Sequence, residues 1–158
     1  CACLVGSEMC IRDRGGAPSH DIQDGILDPD DPDFRRKYHI YSLKGAMFRV
    51  LHRSWWPEEM PSADEYKEAD RNLLANGNKV DFILSHEAPF DIARRIGRGH
   101  YTSNELSEWF DNRVLKQVAF KAWFFGHYHI EYVCRNVFGM YKCIISLDEV
   151  ESYLNSKE

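Results

Sequence analysis

Three histidines that directly follow two apolar runs are the residues of this sequence best suited to metal chemistry. Residues 80–89 read Val-Asp-Phe-Ile-Leu-Ser-His-Glu-Ala-Pro, and residues 123–129 read Trp-Phe-Phe-Gly-His-Tyr-His. The three are His86, His127 and His129. Neutral imidazoles are common protein ligands of zinc and other transition metals. The pattern therefore predicts a metal site.

Each apolar run predicts a buried strand, over residues 79–85 and 122–125. In open α/β sheets, sites gather outside the carboxyl ends of the strands, so we expect the three histidines on one rim. On extended backbone, side chains at i and i+2 leave on the same side, which places His127 beside His129. A single histidine at a strand end is more often structural, whereas the combination of the two segments is more specific.

Helix start signals flank the predicted strands. Ser62 and Glu65 form a capping box that predicts a helix, and Gly77 is suited to end it. Thr102 and Glu105 form a second capping box, predicting an amphipathic helix that continues to about residue 118. Helices that alternate with buried strands predict the α/β class, with α+β as the broader description.

The remaining segments predict short strands and loops. A short strand is expected at residues 47–51, and a closing hairpin at residues 131–137 and 140–145. Polar, turn-rich composition predicts loops or a frayed end in three segments: residues 15–42, 87–101 and 149–158.

Two motifs resemble the last two motifs of the calcineurin-like metallophosphoesterases. They are Ser-His-x-x-Pro at residues 85–89 and Gly-His-x-His at residues 126–129. Further matches are Gly-Gly-Ala at residues 15–17, Ser-Trp-Trp-Pro-Glu-Glu at 54–59 and Pro-Ser at 61–62. The resemblance is to a bacterial or phage branch of that family and covers residues 15 to about 147. It corresponds to the later part of a full member.

The resemblance implies a fold, an activity and a set of ligands. Residues 15–158 would be the C-terminal part of a β-sandwich flanked by helices. The activity would be metal-dependent hydrolysis of a phosphorylated substrate at a dinuclear centre. His86 and His127 would bind one divalent metal, and His129 the other. Manganese, iron, zinc, nickel or magnesium would serve, and imidazole ligands favour the transition metals over magnesium.

A basic cluster lies close after the first histidine and is a candidate for binding substrate. It consists of Arg94, Arg95, Arg98 and His100. Guanidinium groups suit bidentate contacts with phosphate oxygens. The alternative is a solvated loop with no role in binding.

Three earlier motifs of full family members are absent from the sequence. These are Asp-x-His, Gly-Asp-x-x-Asp and Gly-Asn-His, which carry the bridging aspartate, an asparagine ligand and the histidine credited as general acid. We therefore identify no catalytic residue and expect the chain as written to be nearly inactive without the N-terminal half of its domain. Two alternatives remain: a non-enzymatic metal- or protein-binding module, and a mononuclear zinc hydrolase of another fold.

Composition bounds the partners and the compartment. The net charge of −5 argues against a nucleic-acid or anionic-membrane surface, so nucleic acid is considered only as a substrate. No apolar run approaches the roughly 20 residues of a membrane span. Outside residues 1–14 only Cys134 and Cys143 remain, which is no disulfide framework. We expect a cytoplasmic protein with reduced thiols. The ester class, metal and oligomeric state stay open.

Residues 1–14 differ in character from the rest of the chain. Residues 3–14 read Cys-Leu-Val-Gly-Ser-Glu-Met-Cys-Ile-Arg-Asp-Arg, and the chain does not begin with methionine. The segment resembles one translated reading frame of an adapter used in DNA sequencing libraries. We interpret it as an artefact to be excluded from fold reasoning, leaving residues 15–158 as one domain.

The adapter interpretation predicts the sequence of the source DNA. A long read made without adapters should lack codons 1–14 and carry an in-frame upstream extension with the three missing motifs. If codons 1–14 are present in that DNA, the interpretation is wrong.

Overall fold

The computed structural model describes the backbone of residues 3–5 and, with side chains, residues 22–97 and 103–156. Within these residues the chain is mixed α/β, with two small sheets and five α-helices. The contacts divide the chain into two units. As far as it is described, the first unit comprises residues 3–5, 61–97 and 103–156, and the second comprises residues 22–60.

The elements follow one another along the chain as helices and short strands. The strands are β1 (Cys3–Val5), β2 (Gly25–Leu27), β3 (Phe48–Val50), β4 (Phe82–Ser85), β5 (Ala122–Phe125), β6 (Tyr132–Cys134) and β7 (Val137–Gly139). The α-helices are α1 (Phe34–Lys44), α2 (Ala63–Ala75), α3 (Phe90–Ile96), α4 (Glu105–Trp109) and α5 (Leu147–Asn155). A 3-10 turn covers Pro57–Glu59, and a π-helical segment covers Phe110–Leu115.

The first unit is built on a five-stranded sheet in the order β1-β4-β5-β7-β6. β4, β5 and β7 are parallel, while β1 and β6 run antiparallel at the two edges. All four residues of β5 are buried, as expected for a central parallel strand covered on both faces. The strand predicted at 122–125 is thus confirmed, and the one predicted at 79–85 is confirmed over residues 82–85. The interpretation of residues 1–14 as a sequencing-adapter artefact is not tested by this fold and stays a prediction.

One face of this sheet packs against α5. Ala122, Phe124, Phe138 and Val150 form one buried cluster, and Val150 is 0% exposed. The polar end predicted to fray is therefore a helix whose apolar side completes the core. Its start is a capping box between Ser146 and Glu149, the same signal that marks α2.

The opposite face of the sheet packs against the π-helical segment. The Trp123 ring meets Phe110 edge-on at a centroid distance of 5.1 Å. Trp109, one residue earlier, contacts Tyr66 of α2 at 5.4 Å. These aromatic contacts explain the apolar spacing predicted for both helices.

The helix predicted from Thr102 begins later and does not continue as an α-helix. Thr102 lies outside the described residues, and the capping box is formed by Asn104 and Ser107. After Trp109 the helix widens into the π-helical segment. The loop predicted at 87–101 is also wrong in part, because α3 occupies residues 90–96. The Asp91 backbone N–H in its first turn donates to Asp111 at 3.0 Å, a contact that sequence spacing does not show.

The hairpin at the end of the sheet is shifted from its predicted position. Its strands are β6 and β7, and Arg135 in the turn has a left-handed φ of 56°. Gly139 lies in β7 rather than in a turn. A Cβ there would lie 2.9 Å from Cζ of Phe125, so the close packing of neighbouring strands requires glycine.

The second unit contains a small parallel β-α-β arrangement. β2 and β3 pair in parallel, and α1 connects them. Tyr38 and Tyr41 of α1 both contact Phe48 edge-on, each at 5.4 Å. The strand predicted at 47–51 is confirmed by β3, whereas the loop predicted at 15–42 is wrong where β2 and α1 occur.

In the part of the chain that the structure describes, none of the helices has the length and apolar character needed to cross a membrane.

Val150→Ala tests whether α5 belongs to the core. Removing two buried carbons should lower the free energy of unfolding by about 2 kcal/mol. Chemical denaturation measures this, with Ser152→Ala on the exposed side of the same helix as the control. Equal effects of the two changes would show that α5 does not pack on the sheet.

Candidate functional site

The pairing of β4 with β5 brings two of the predicted ligands together. Ser85 and Phe125 are partners at the ends of these parallel strands, so the residues that follow leave the same edge. The Gly126 N–H donates to the carbonyl of His86 at 3.2 Å. His86 Nε2 lies 3.1 Å from His127 Nδ1, and the rings are tilted by 72°.

The two imidazoles differ in their access to solvent. His86 is exposed, and His127 is half-buried with its Nε2 atom shielded from solvent. A Cβ at Gly126 would lie 3.4 Å from Nδ1 of His86, which is a van der Waals distance, so residue 126 lies directly against that ring. The pair therefore consists of a solvent-exposed imidazole, that of His86, and a partly buried one, that of His127.

The reason predicted for the position of His129 is wrong. His127 and His129 have φ angles of 63° and 51°, and the Tyr128 N–H donates to the carbonyl of Gly126 at 2.7 Å. The segment is a tight turn, so the alternation of an extended strand does not apply. The ring of His129 instead stacks on Tyr141, with centroids 5.0 Å apart.

A carboxylate orders the segment that carries Tyr141. Glu131 Oε1 accepts hydrogen bonds from the backbone N–H groups of Lys142 and Cys143, at 2.6 and 3.0 Å. These bonds, the one from Lys142 foremost, hold the pKa of Glu131 below its ordinary value. The same carboxylate raises the pKa of the Cys143 thiol.

The predicted substrate-binding residues are described only in part. Arg94 and Arg95 lie in the last turn of α3 and are exposed. Arg94 forms an ion pair with Asp91 of its own helix at 3.3 Å. Arg98 and His100 lie outside the described residues. Phosphate binding by this cluster stays a prediction.

Glu87 is a site residue that the sequence reasoning missed. It follows His86 directly, yet it is only 1% exposed. Its carboxylate accepts hydrogen bonds from the Tyr128 hydroxyl, from the Ala88 N–H at 2.9 Å and from Asn104 Nδ2 at 3.3 Å. No local sequence signal marks Glu87, because its burial depends on Tyr128 and Asn104, which approach from other elements.

Among residues 22–97 and 103–156, no three His, Cys, Asp or Glu side chains form a group that could hold a metal ion. The site in the described residues is thus a histidine pair, with His129 directed to Tyr141. Comparison with models of protein families, with curated proteins and with solved structures found no match.

Glu131→Gln should produce a pH-dependent loss of stability. Because the pKa of Glu131 is lowered by folding, its contribution is present well above the ordinary value of 4.5 and is lost as the pH falls through the folded-state pKa. The difference in free energy of unfolding between wild type and variant should therefore shrink from about pH 7 to about pH 3.

Denaturation at several pH values measures this difference. Glu108→Gln, which changes an exposed carboxylate in α4, is the matched control and should alter stability by less than about 0.5 kcal/mol. A difference that grows towards low pH would contradict the assignment.

Proposed function

We propose that this chain supplies the histidine ligands of a metal-dependent phosphoester hydrolase of the calcineurin-like kind. The observation that carries the proposal is the 3.1 Å approach of His86 Nε2 to His127 Nδ1 where two parallel strands end. Both residues belong to motifs that resemble those of the metallophosphoesterases. In open α/β sheets, ligands generally bind outside the carboxyl ends of the strands, and this pair lies at such a position.

The histidine pair has the dimensions of a metal-ligand pair. Metal–nitrogen bonds are about 2.0–2.1 Å, so two nitrogens on one ion lie roughly 3 Å apart. The exposed ring of His86 leaves the pair open to solvent. We propose that His86 and His127 hold one ion and that His129 contributes to a second. A bound pair of ions would supply an activated water and stabilise charge on the phosphoryl group.

The described residues do not supply a complete dinuclear site. The sequence lacks the three family motifs that carry the carboxylate and asparagine ligands. We propose that those ligands belong to a part of the domain outside this sequence and that Arg94 and Arg95 contact substrate phosphate. This chain alone would then bind metal weakly and turn over slowly.

The proposed β-sandwich agrees with an incompletely covered sheet. Phe82 and Leu84 are two residues apart in β4 and therefore lie on the same face of the sheet, the one against which α5 packs. The Leu84 side chain on this face is 40% exposed. A second layer of sheet on this face would bury that side chain. We propose a cytoplasmic location, since the only cysteines outside residues 1–14 are Cys134 and Cys143, which is no disulfide framework.

The second candidate is a non-enzymatic module with the same fold remnant. The observation that favours it is that 3.1 Å is also the length of a direct imidazole–imidazole hydrogen bond. Such a bond would fix the two loops without any metal. Metal titration separates the hydrolase from a module in which this bond forms without metal.

Calorimetric titration of the purified chain with Mn²⁺ or Co²⁺ should give weak binding of one ion. His86→Ala and His127→Ala should abolish that binding, because each removes half of the pair. His39→Ala, an exposed histidine of α1, is the matched control and should leave it unchanged. Absence of binding by the wild-type chain would favour the non-enzymatic module.

Hydrolysis of p-nitrophenyl phosphate by the same chain in Mn²⁺ should remain close to background. The physical reason is the missing carboxylate ligand and general acid. Turnover at ordinary enzyme rates, about 1–10³ per second, that disappears in His86→Ala would show that the site is already complete.

A further inference from the structure

A buried carboxylate connects the loops that carry the two paired histidines. The carboxylate belongs to Glu87, which is 1% exposed and adjacent to His86. The Tyr128 hydroxyl that it binds is adjacent to His127. One hydrogen bond therefore joins the segment after β4 to the segment after β5, beside the imidazole contact.

The position of Glu87 is held from several sides. The Ser85 hydroxyl donates to the Glu87 carbonyl at 2.6 Å, and Trp123 Nε1 donates to the same hydroxyl at 2.8 Å. Trp123 is fully buried, so this chain of bonds ties Glu87 to the centre of the sheet. Asn104, which caps α4, donates to the other carboxylate oxygen.

The Tyr128 ring is also constrained on two sides. Its ring meets His127 edge-on at 5.1 Å and Phe125 edge-on at 5.9 Å. A hydroxyl fixed by Glu87 and a ring fixed by Phe125 leave little freedom to the turn at residues 126–129. That turn has left-handed φ angles at both histidines, which need surrounding contacts to persist.

We propose that Glu87 and Tyr128 are positioning residues that hold His86 and His127 at the separation of a metal-ligand pair. Neither acts as a ligand in this role. A buried carboxylate is costly unless its hydrogen bonds are satisfied, and here neutral donors satisfy it. Groups that hydrogen-bond metal ligands directly contribute about 10- to 100-fold to metal affinity, whereas Glu87 and Tyr128 would act on the imidazoles through the backbone of their loops. The metal part of this inference rests on the proposed function, whereas the positioning part does not.

Tyr128→Phe is the sharpest test, because it removes one hydroxyl and keeps the ring. At fixed pH and without metal, the imidazole ¹⁵N signals of His86 and His127 should shift. Co²⁺ affinity should fall about tenfold, the lower end of the range for direct partners of metal ligands. Tyr66→Phe is the matched control: the Tyr66 hydroxyl is buried without a hydrogen-bond partner in the described residues, and neither readout should change.

A second pair of variants keeps the test independent of folding defects. Glu87→Gln retains an oxygen that accepts from Tyr128, so it should preserve more of the wild-type imidazole spectrum than Glu87→Ala. Thermal unfolding of every variant identifies any that do not fold. If Glu87→Ala does not fold, Tyr128→Phe and Glu87→Gln still decide the question.

The positioning role is overturned if folded Tyr128→Phe keeps the wild-type imidazole signals, even where its stability is reduced. The network would then serve stability alone. Failure of the wild-type chain to bind Co²⁺ would overturn the proposed function instead. The metal-free spectra would still decide whether Glu87 and Tyr128 set the histidine geometry.

Discussion

The parallel pairing of β4 with β5 sets the positions of His86 and Gly126, on which the rest of the candidate site depends. Its register places Ser85 opposite Phe125, so His86 and Gly126 leave the sheet at the same height. A slip of one residue would reverse the faces of a strand, and all four residues of β5 are buried. On one face of β5, Ala122 and Phe124 pack in the cluster with Val150, and on the other Trp123 packs against Phe110, so the slip would exchange side chains of different size between two packed faces. Packing thus favours the observed register, and the register brings the two imidazoles together.

Contacts outside the strands hold the turn that follows β5. Left-handed φ angles at His127 and His129 cost about 1–3 kcal/mol each in residues other than glycine. The imidazole contact, the Tyr128 hydrogen bond to Glu87 and the stacking of His129 on Tyr141 offset that cost. Each residue of the turn at 127–129 thus contributes one side-chain contact that keeps the turn in this conformation.

Local signals predicted parts of this fold and missed others for identifiable reasons. The capping box at Ser62 and the buried run of β5 are correct because few neighbouring residues decide them. The Ser146–Glu149 box carries the same local signal, but the polar composition after it predicted a frayed end. The predicted hairpin leaves Gly139 between its strands, because the reason for a glycine at this position is the ring of Phe125, which lies on a neighbouring strand. α3 was missed because Asp111, distant in sequence, accepts from its first turn.

The sequence alone determined the residue types of the candidate site, the two strands that end in histidines and the class of chemistry that imidazoles support. It could do so because apolar runs, caps and motif spacing are local properties. Only the tertiary structure decided which histidines meet, because that depends on strand register and on a turn with left-handed backbone. It alone also showed Glu87 to be buried, since burial depends on Tyr128 and Asn104, which approach from other elements.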